Sequence, residues 1–148
     1  MTVREQNEIK KDFLRGYKRV CNRIKTLDLQ MQELRETKEA AKAIEYSDMP
    51  NGNKQSDLSD YIVKLEYLEE KVKRKLEEKQ REKLDIESYI LDMNDDIESD
   101  ILYKRYIQLM DWPDIAKAIG YSERQVYRYH GKALCDLKYD CEKNEDVS

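Results

Sequence analysis

The 148 residues leave room for one domain, or for a small domain with an extension, and a formal net charge of -4 argues against nucleic-acid binding through a broad basic surface. Charged residues make up 41%, Gly and Pro total six and Phe occurs once, a composition typical of long helices or coiled coils rather than of an all-β or doubly wound fold. The three cysteines, Cys21, Cys135 and Cys141, are odd in number and form no C-x-x-C pair, so neither a disulfide framework nor a zinc ribbon is suggested.

No apolar run approaches the roughly 18 residues of a membrane span, and Met1 to Lys11 lacks the apolar core of a signal peptide, so a cytoplasmic protein is expected. Charge is uneven along the chain. Residues 10–25 carry Lys10, Lys11, Arg15, Lys18, Arg19, Arg23 and Lys25 against Asp12 alone. Residues 121–138 carry Arg124, Arg128, Lys132 and Lys138 against Glu123 and Asp136. Any nucleic-acid contact should be confined to such patches.

In the first segment Phe13, Tyr17, Val20, Ile24, Leu27, Met31 and Leu34 recur at spacings of 4, 3, 4, 3, 4 and 3, a heptad seam that predicts a helix from about Glu5 to Tyr46. Only Gly16 opposes it, at about 1 kcal/mol relative to Ala. "SDMPNGNKQSD", residues 47–57, concentrates Pro, Gly, Asn and Ser and reads as a loop. A second helix is expected from Asp57, with Leu58, Tyr61 or Ile62, Leu65, Leu68 and Val72 as its stripe. "RKLEEKQREK", residues 74–83, reads either as an exposed helix with i,i+4 pairs or as a poorly packed connection, before Ile86, Ile90 and Met93 resume an apolar face.

The seam can zip the first two helices of one chain into an antiparallel hairpin of order 50 to 60 Å, at about 1.5 Å per residue, or it can pair two chains. A loop of about ten residues favours the hairpin. Asn94 or Asp95 then caps a further helix whose buried face is Ile97, Ile101, Leu102, Tyr106 and Ile107. The segment 140–148 is polar and aperiodic and reads as disordered.

"DWPDIAKAIGYSERQVYRYHGKAL", residues 111–134, concentrates helix punctuation. Asp111 as N-cap, Pro113 in the first turn and Asp114 mark one helix start; Ile115, Ala116 and Ile119 supply its apolar face, and Gly120 stops it. Ser122 and Gln125 form a capping box that starts the next helix, with Val126, Tyr129, Ala133, Leu134 and Leu137 inward. Its other face carries Glu123, Arg124, Gln125, Tyr127, Arg128 and Lys132. Two short-linked helices of this kind describe a helix-turn-helix, whose second helix enters the major groove by its N-terminal residues, and Arg and Gln are side chains that read base edges there. A capped three-helix bundle with a merely solvated Arg/Gln face has the same pattern.

"DIAKAIGYSERQVYRYHGKALCDL" resembles the fourth region of bacterial sigma-70-type factors, in the "IA" of the first helix, the Gly turn, the Ser N-cap, the Val at the fourth helical position and "KAL..L". "DILYKRYI" is similar to the helix preceding this motif in sigma-like phage proteins, and with a charged helical N-terminus the chain looks most like small phage transcriptional regulators of Gram-positive bacteria, the RinA and ArpU type. The specific resemblance covers residues 90–138 or so. It implies a site of Glu123, Arg124, Gln125, Tyr127 and Arg128 on DNA, flanked by Ser122 and Lys132, with Val126, Tyr129 and Leu134 in the core. Its implied partners are double-stranded DNA and host RNA polymerase. Nothing in the chain resembles the promoter-melting region of a complete sigma factor.

Offsets of 5 and 11 residues along one helix point His130, Cys135 and Cys141 in different directions, so no metal site is expected; His130 is expected at the core margin or near phosphate, its nitrogens wet. With no Gly-rich phosphate loop and no apolar pocket around the carboxylates, neither an enzyme nor a cofactor is expected.

The expectation is an all-α chain: a long, coiled-coil-like helical hairpin over residues 1–93, a helix-turn-helix bundle over 94–139 that reads a promoter-proximal site, and a disordered tail. A homo-oligomer, plausibly a dimer, would compensate for weak binding by one acidic monomer. Two other readings fit the same features: a coiled-coil adaptor whose C-terminal bundle docks on protein, and a small-terminase-like DNA-packaging subunit.

Overall fold

The computed structural model describes the backbone of residues 1–45 and 54–142 and the side chains of 1–39 and 58–142. Among these residues there is no strand. The helices are α1 (Val3–Leu14), α2 (Gly16–Glu45), α3 (Lys54–Leu91), α4 (Asp96–Tyr106), α5 (Trp112–Ile119) and α6 (Glu123–Asp136). The all-helical class follows from the composition: few helix breakers, and apolar residues at helical spacing. Two compact units form, one of Val20–Glu78 and one of Met1–Arg19 with the chain from Lys79 on.

In the Val20–Glu78 unit, α2 and α3 lie against each other. Lys38 Nζ sits 4.5 Å from the centroid of the Tyr61 ring, so the chain reverses between these residues. Further along, Arg23, Leu27, Gln30 and Leu34 face Lys64, Tyr67, Leu68 and Lys71 across a groove. Val20 and Leu27 are buried, and Ile24, Met31 and Leu34 are half-buried between exposed neighbours, as the heptad spacing requires. On α3 the seam takes Tyr61, whereas Ile62 and Leu58 are 44% and 48% exposed, which resolves the choice left open by the sequence. Residues 54–57, expected in a loop, are helical, since α3 begins at Lys54 and Lys, Gln and Ser tolerate a helical first turn. Residues 46–53 lie outside the described residues.

The segment 74–83 is helix throughout, part of one uninterrupted α3. Its seam positions are filled by charged side chains that meet partners. Lys75 pairs with Glu78 at 2.7 Å, Lys79 Nζ lies 5.8 Å from the Tyr17 ring centroid, and the Glu82 carboxylate occupies the space where a Cβ on Gly16 would fall, 2.8 Å away. Stems of long charged residues can cover apolar surface in this way.

The single helix expected over residues 5–46 is divided. It starts at Val3, because Thr2 and Glu5 form a capping box, Glu5 N–H donating to Thr2 Oγ1 at 3.2 Å and Thr2 N–H to Glu5 Oε2 at 3.0 Å. It is interrupted at Arg15, beside the weak helix former Gly16. Arg19 braces the interruption, donating to the Asp12 carboxylate at 3.0 Å and to the Asp12 carbonyl at 2.7 Å.

The break lets α1 serve a different core from the rest of the expected helix. α1 packs on α6, and so belongs with the C-terminal elements rather than with a hairpin of residues 1–93. Lys10, placed in the basic patch by sequence, is 7% exposed; its ammonium donates to the carbonyls of Leu134 (2.8 Å) and Cys135 (3.3 Å). These are last-turn carbonyls without helical partners, and they carry the negative end of the helix dipole. Phe13 stacks on Tyr139 at 4.1 Å between centroids, and Tyr89 meets both edge-on. The segment 140–142, expected to be part of a disordered tail, is instead ordered against α1: Cys141 is buried, its thiol 3.6 Å from the Gln6 carbonyl. Residues 143–148 lie outside the described residues.

Lys10→Met keeps the apolar stem and removes the donors. It should lower the stability of this unit by about 1.5–3 kcal/mol, the range for hydrogen bonds to a charged group. Urea unfolding together with hydrogen exchange of the α1 amides checks this, with α1 protection expected to fall first.

Candidate nucleic-acid interface

α4, α5 and α6 share a core of Ile101, Ile115, Ala116 and Val126, with Ile97, Met110, Trp112, Ile119, Tyr121 and Tyr129 packed around it. Asp95, rather than Asn94, caps α4, accepting from Ile97 N–H (2.9 Å) and Glu98 N–H (3.0 Å). Between α4 and α5 Leu109 takes a left-handed φ of 57°, which costs a non-glycine residue about 1–2 kcal/mol. The turn is held by Arg105, whose guanidinium donates to the Met110 carbonyl (3.0 Å) and lies 4.5 Å over the Trp112 ring.

Asp111 occupies the expected N-cap position of α5, but its side chain makes no capping bond. Pro113 and the acidic first turn carry that start. Gly120 stops α5 with φ 76° and ψ 27°, and its N–H and that of Tyr121 both return to the Ala116 carbonyl. Ser122 then caps α6 in the expected box. Gln125 N–H donates to Ser122 Oγ at 3.2 Å, and Gln125 Oε1 accepts from Ser122 N–H at 3.1 Å. The pair α5–turn–α6 thus has the helix-turn-helix connection predicted from the punctuation.

Of the seven residues expected to face DNA, Ser122, Glu123, Arg124, Gln125, Tyr127, Arg128 and Lys132, all are exposed, while Val126, His130, Ala133, Leu134 and Leu137 are buried. They do not share one line. At about 100° per residue, Arg124 and Arg128 lie along the outermost line of α6. Tyr127 leans to one flank, where its ring is 5.0 Å from Trp112. Gln125 and Lys132 lean to the other, and both are engaged: Gln125 in the cap, Lys132 with Glu98.

His130 departs from expectation. It is 8% exposed rather than wet at the margin, and its Nε2 makes a 2.7 Å hydrogen bond with the Tyr106 hydroxyl. Trp112 meets its ring edge-on at 4.7 Å. Burial, reinforced by the positive charges of Lys11, Arg105 and Arg15, pulls the imidazole down to about 4, and burial pushes the Tyr106 hydroxyl up to about 12. Both groups are neutral at physiological pH, as a shared buried hydrogen bond requires.

Sequence reasoning passed over Glu98, which is 1% exposed. Lys132 Nζ stands 3.4 Å from Oε1, within ion-pair range but without hydrogen-bond geometry to either carboxylate oxygen. Burial, then the neighbouring Asp136 carboxyl, raises Glu98 above the usual carboxylate range, against the opposing pull of Lys132. A cavity of about 390 Å³ opens beside it, lined by Asp92, Asp95, Asp136, Lys132 and Lys138 among others. An acidic residue amid an acidic stretch gives no sequence signal of burial; only its i+4 spacing to Leu102 on the inward side of α4 hints at it.

Two pH effects follow, with opposite signs. For His130 the folded pKa is depressed, so its contribution is full above about 6.5 and is lost as pH falls towards about 4, a shift equivalent to roughly 3 kcal/mol. His130→Gln should remove that part of the acid destabilisation, read as the difference in urea midpoint between pH 7 and pH 4. For Glu98 the folded pKa is raised, so its contribution is full below the ordinary carboxylate pKa and is lost as pH rises through the folded value. Glu98→Gln should therefore stabilise the protein at pH 8 and not at pH 4, a difference measurable by thermal unfolding.

Compared with protein-family models, with curated proteins and with solved structures, the chain finds no match in any of the three.

Proposed function

We propose that the chain is a sequence-specific DNA-binding transcriptional regulator, similar to the fourth region of sigma factors, in which α6 lies in the major groove and reads a promoter-proximal site. The observation that carries this reading is the segregation of α6: a helix started by a capping box, with Arg124 and Arg128 exposed on its outermost line, behind a Gly-turned partner helix. Arg pairs bidentately with guanine O6 and N7, and the first two turns of a recognition helix are the part that reaches base edges. Tyr127, propped by Trp112, offers an aromatic edge to a thymine methyl group or a phosphate. Lys132, held by Glu98, is a weaker candidate than its exposure alone suggests. RNA polymerase and a second copy of the chain are the partners that would raise the affinity of a single reading head.

The test starts from a duplex selected out of a random library by the full chain. Arg124→Ala and Arg128→Ala should each cost about 1–3 kcal/mol of discrimination on that duplex, with much smaller losses on random DNA. Unchanged discrimination in both variants would overturn the assignment. Failure to select any duplex, with no salt-sensitive binding to DNA, would favour the protein-docking adaptor instead.

A further inference from the structure

The two long flanks of α6 carry opposite charge. On the flank of Gln125 and Lys132 stand Asp92, Asp95, Asp136 and the buried Glu98, with Lys132 and Lys138 as the opposing cations. On the flank of Tyr127 stand α1 and the α4–α5 turn. Lys11 on α1, Arg15 at the α1–α2 interruption and Arg105 on α4 come close enough to bear electrostatically on the same buried ring, His130, which itself packs against Trp112 next to Tyr127.

Two α1 carboxylates on this side are tied, while Glu123, one turn before Tyr127 on α6, is exposed and without an ion pair among the described residues. Glu8 pairs with Lys11 at 2.8 Å and Asp12 with Arg19 at 3.0 Å, while Arg15, exposed, makes no ion pair among the described residues. The Lys11–Glu8 pair is an exposed i,i+3 contact, of a kind that contributes little and is readily exchanged for a stronger anion. Arg105 is anchored on Trp112 and the Met110 carbonyl, so its charge is fixed in place.

Resting on the DNA-binding reading, we propose that Lys11 and Arg15 form a phosphate-contacting strip beside the recognition helix, so that the backbone passing the α1 flank of α6 is held close while the other strand's backbone stands off from the Glu98 flank. The reasons are electrostatic and geometric. A duplex with α6 in its major groove brings a phosphate backbone past each flank of the helix. The acidic flank repels that backbone, and the α1 flank supplies cations held by a helix that is locked to α6 through Lys10. Part of the basic stretch at residues 10–25 thereby joins the helix-turn-helix as one surface, although it lies about a hundred residues away in sequence.

The experiment is a salt titration of the full chain on the selected duplex and on a random duplex, for the wild type, Arg15→Gln, the Lys11→Gln/Arg15→Gln double variant and Arg124→Ala/Arg128→Ala. Circular dichroism of each variant checks the fold; Arg15 is exposed and Lys11 half-buried. Each phosphate contact removed should make the slope of log K against log salt shallower by about 0.9, so roughly two for the double variant. The loss should be equal on both duplexes, with the preference between them kept. If Arg124→Ala/Arg128→Ala abolishes the preference while the double variant keeps the wild-type slope, the strip is overturned and the reading head stands. A loss confined to the selected duplex also overturns it, since that would make these residues base readers. A wild type without salt-sensitive DNA binding overturns both.

Discussion

The inner face of α6, from Val126 through His130, Ala133 and Leu134 to Leu137, is closed off from water by α1, α4 and α5 acting together. This shared burial is the constraint on which the C-terminal unit depends. Each of the three helices is short, between eight and twelve residues, and helices of that length are marginal in water without a packed face. They are stable here because each places its apolar stripe on the same partner. The polar groups that come with that arrangement are handled individually: Lys10 by two carbonyls, His130 by a tyrosine hydroxyl, and Glu98 only incompletely, by an ammonium and a raised affinity for protons.

Most of the fold was legible because its signals are local and repetitive. The heptad from Tyr17 to Leu34 needs only its own spacing to declare a seam, and the capping box at Ser122 is complete within four residues. Likewise, the exposure of the seven candidate DNA-facing residues follows from the periodicity of α6. What sequence could not supply are contacts whose partners are far apart. The docking of α1 on α6 joins residues separated by more than a hundred positions, and nothing in "NEIKKDFL" says that Lys10 is inside and Lys11 only half-buried. The Thr2 box was legible in principle, as T-x-x-E before a periodic segment, and would have moved the start of α1 to its observed place.

The misreadings have a common physical origin. Lys10, expected in a solvated basic patch, reaches its partners from the interior, and Glu98, for which the sequence gives no signal, is buried as well; of the two readings of residues 74–83, the helix holds. His130 is expected at the wet margin because imidazole is usually polar at neutral pH; here burial, with three neighbouring cations adding to it, keeps it uncharged, so it behaves as an aromatic core residue with one hydrogen bond. The left-handed Leu109 is equally silent in sequence, since Leu carries no preference for that conformation and is held there by what surrounds it.

The capping box at Ser122 sets unequal freedom along the outer face of α6. Arg124 and Arg128 are exposed and, among the described residues, hold no ion pair, so replacing either leaves the folded state almost untouched. Gln125 differs, because its amide oxygen secures the backbone N–H of Ser122 at the very point where the helix begins. A lineage of such chains could therefore drift in what it recognises through positions 124 and 128 while position 125 stays confined to side chains that can close the box, Gln or Glu. Under the proposed DNA-binding reading, specificity would then change through two positions while the third keeps the start of the helix in place.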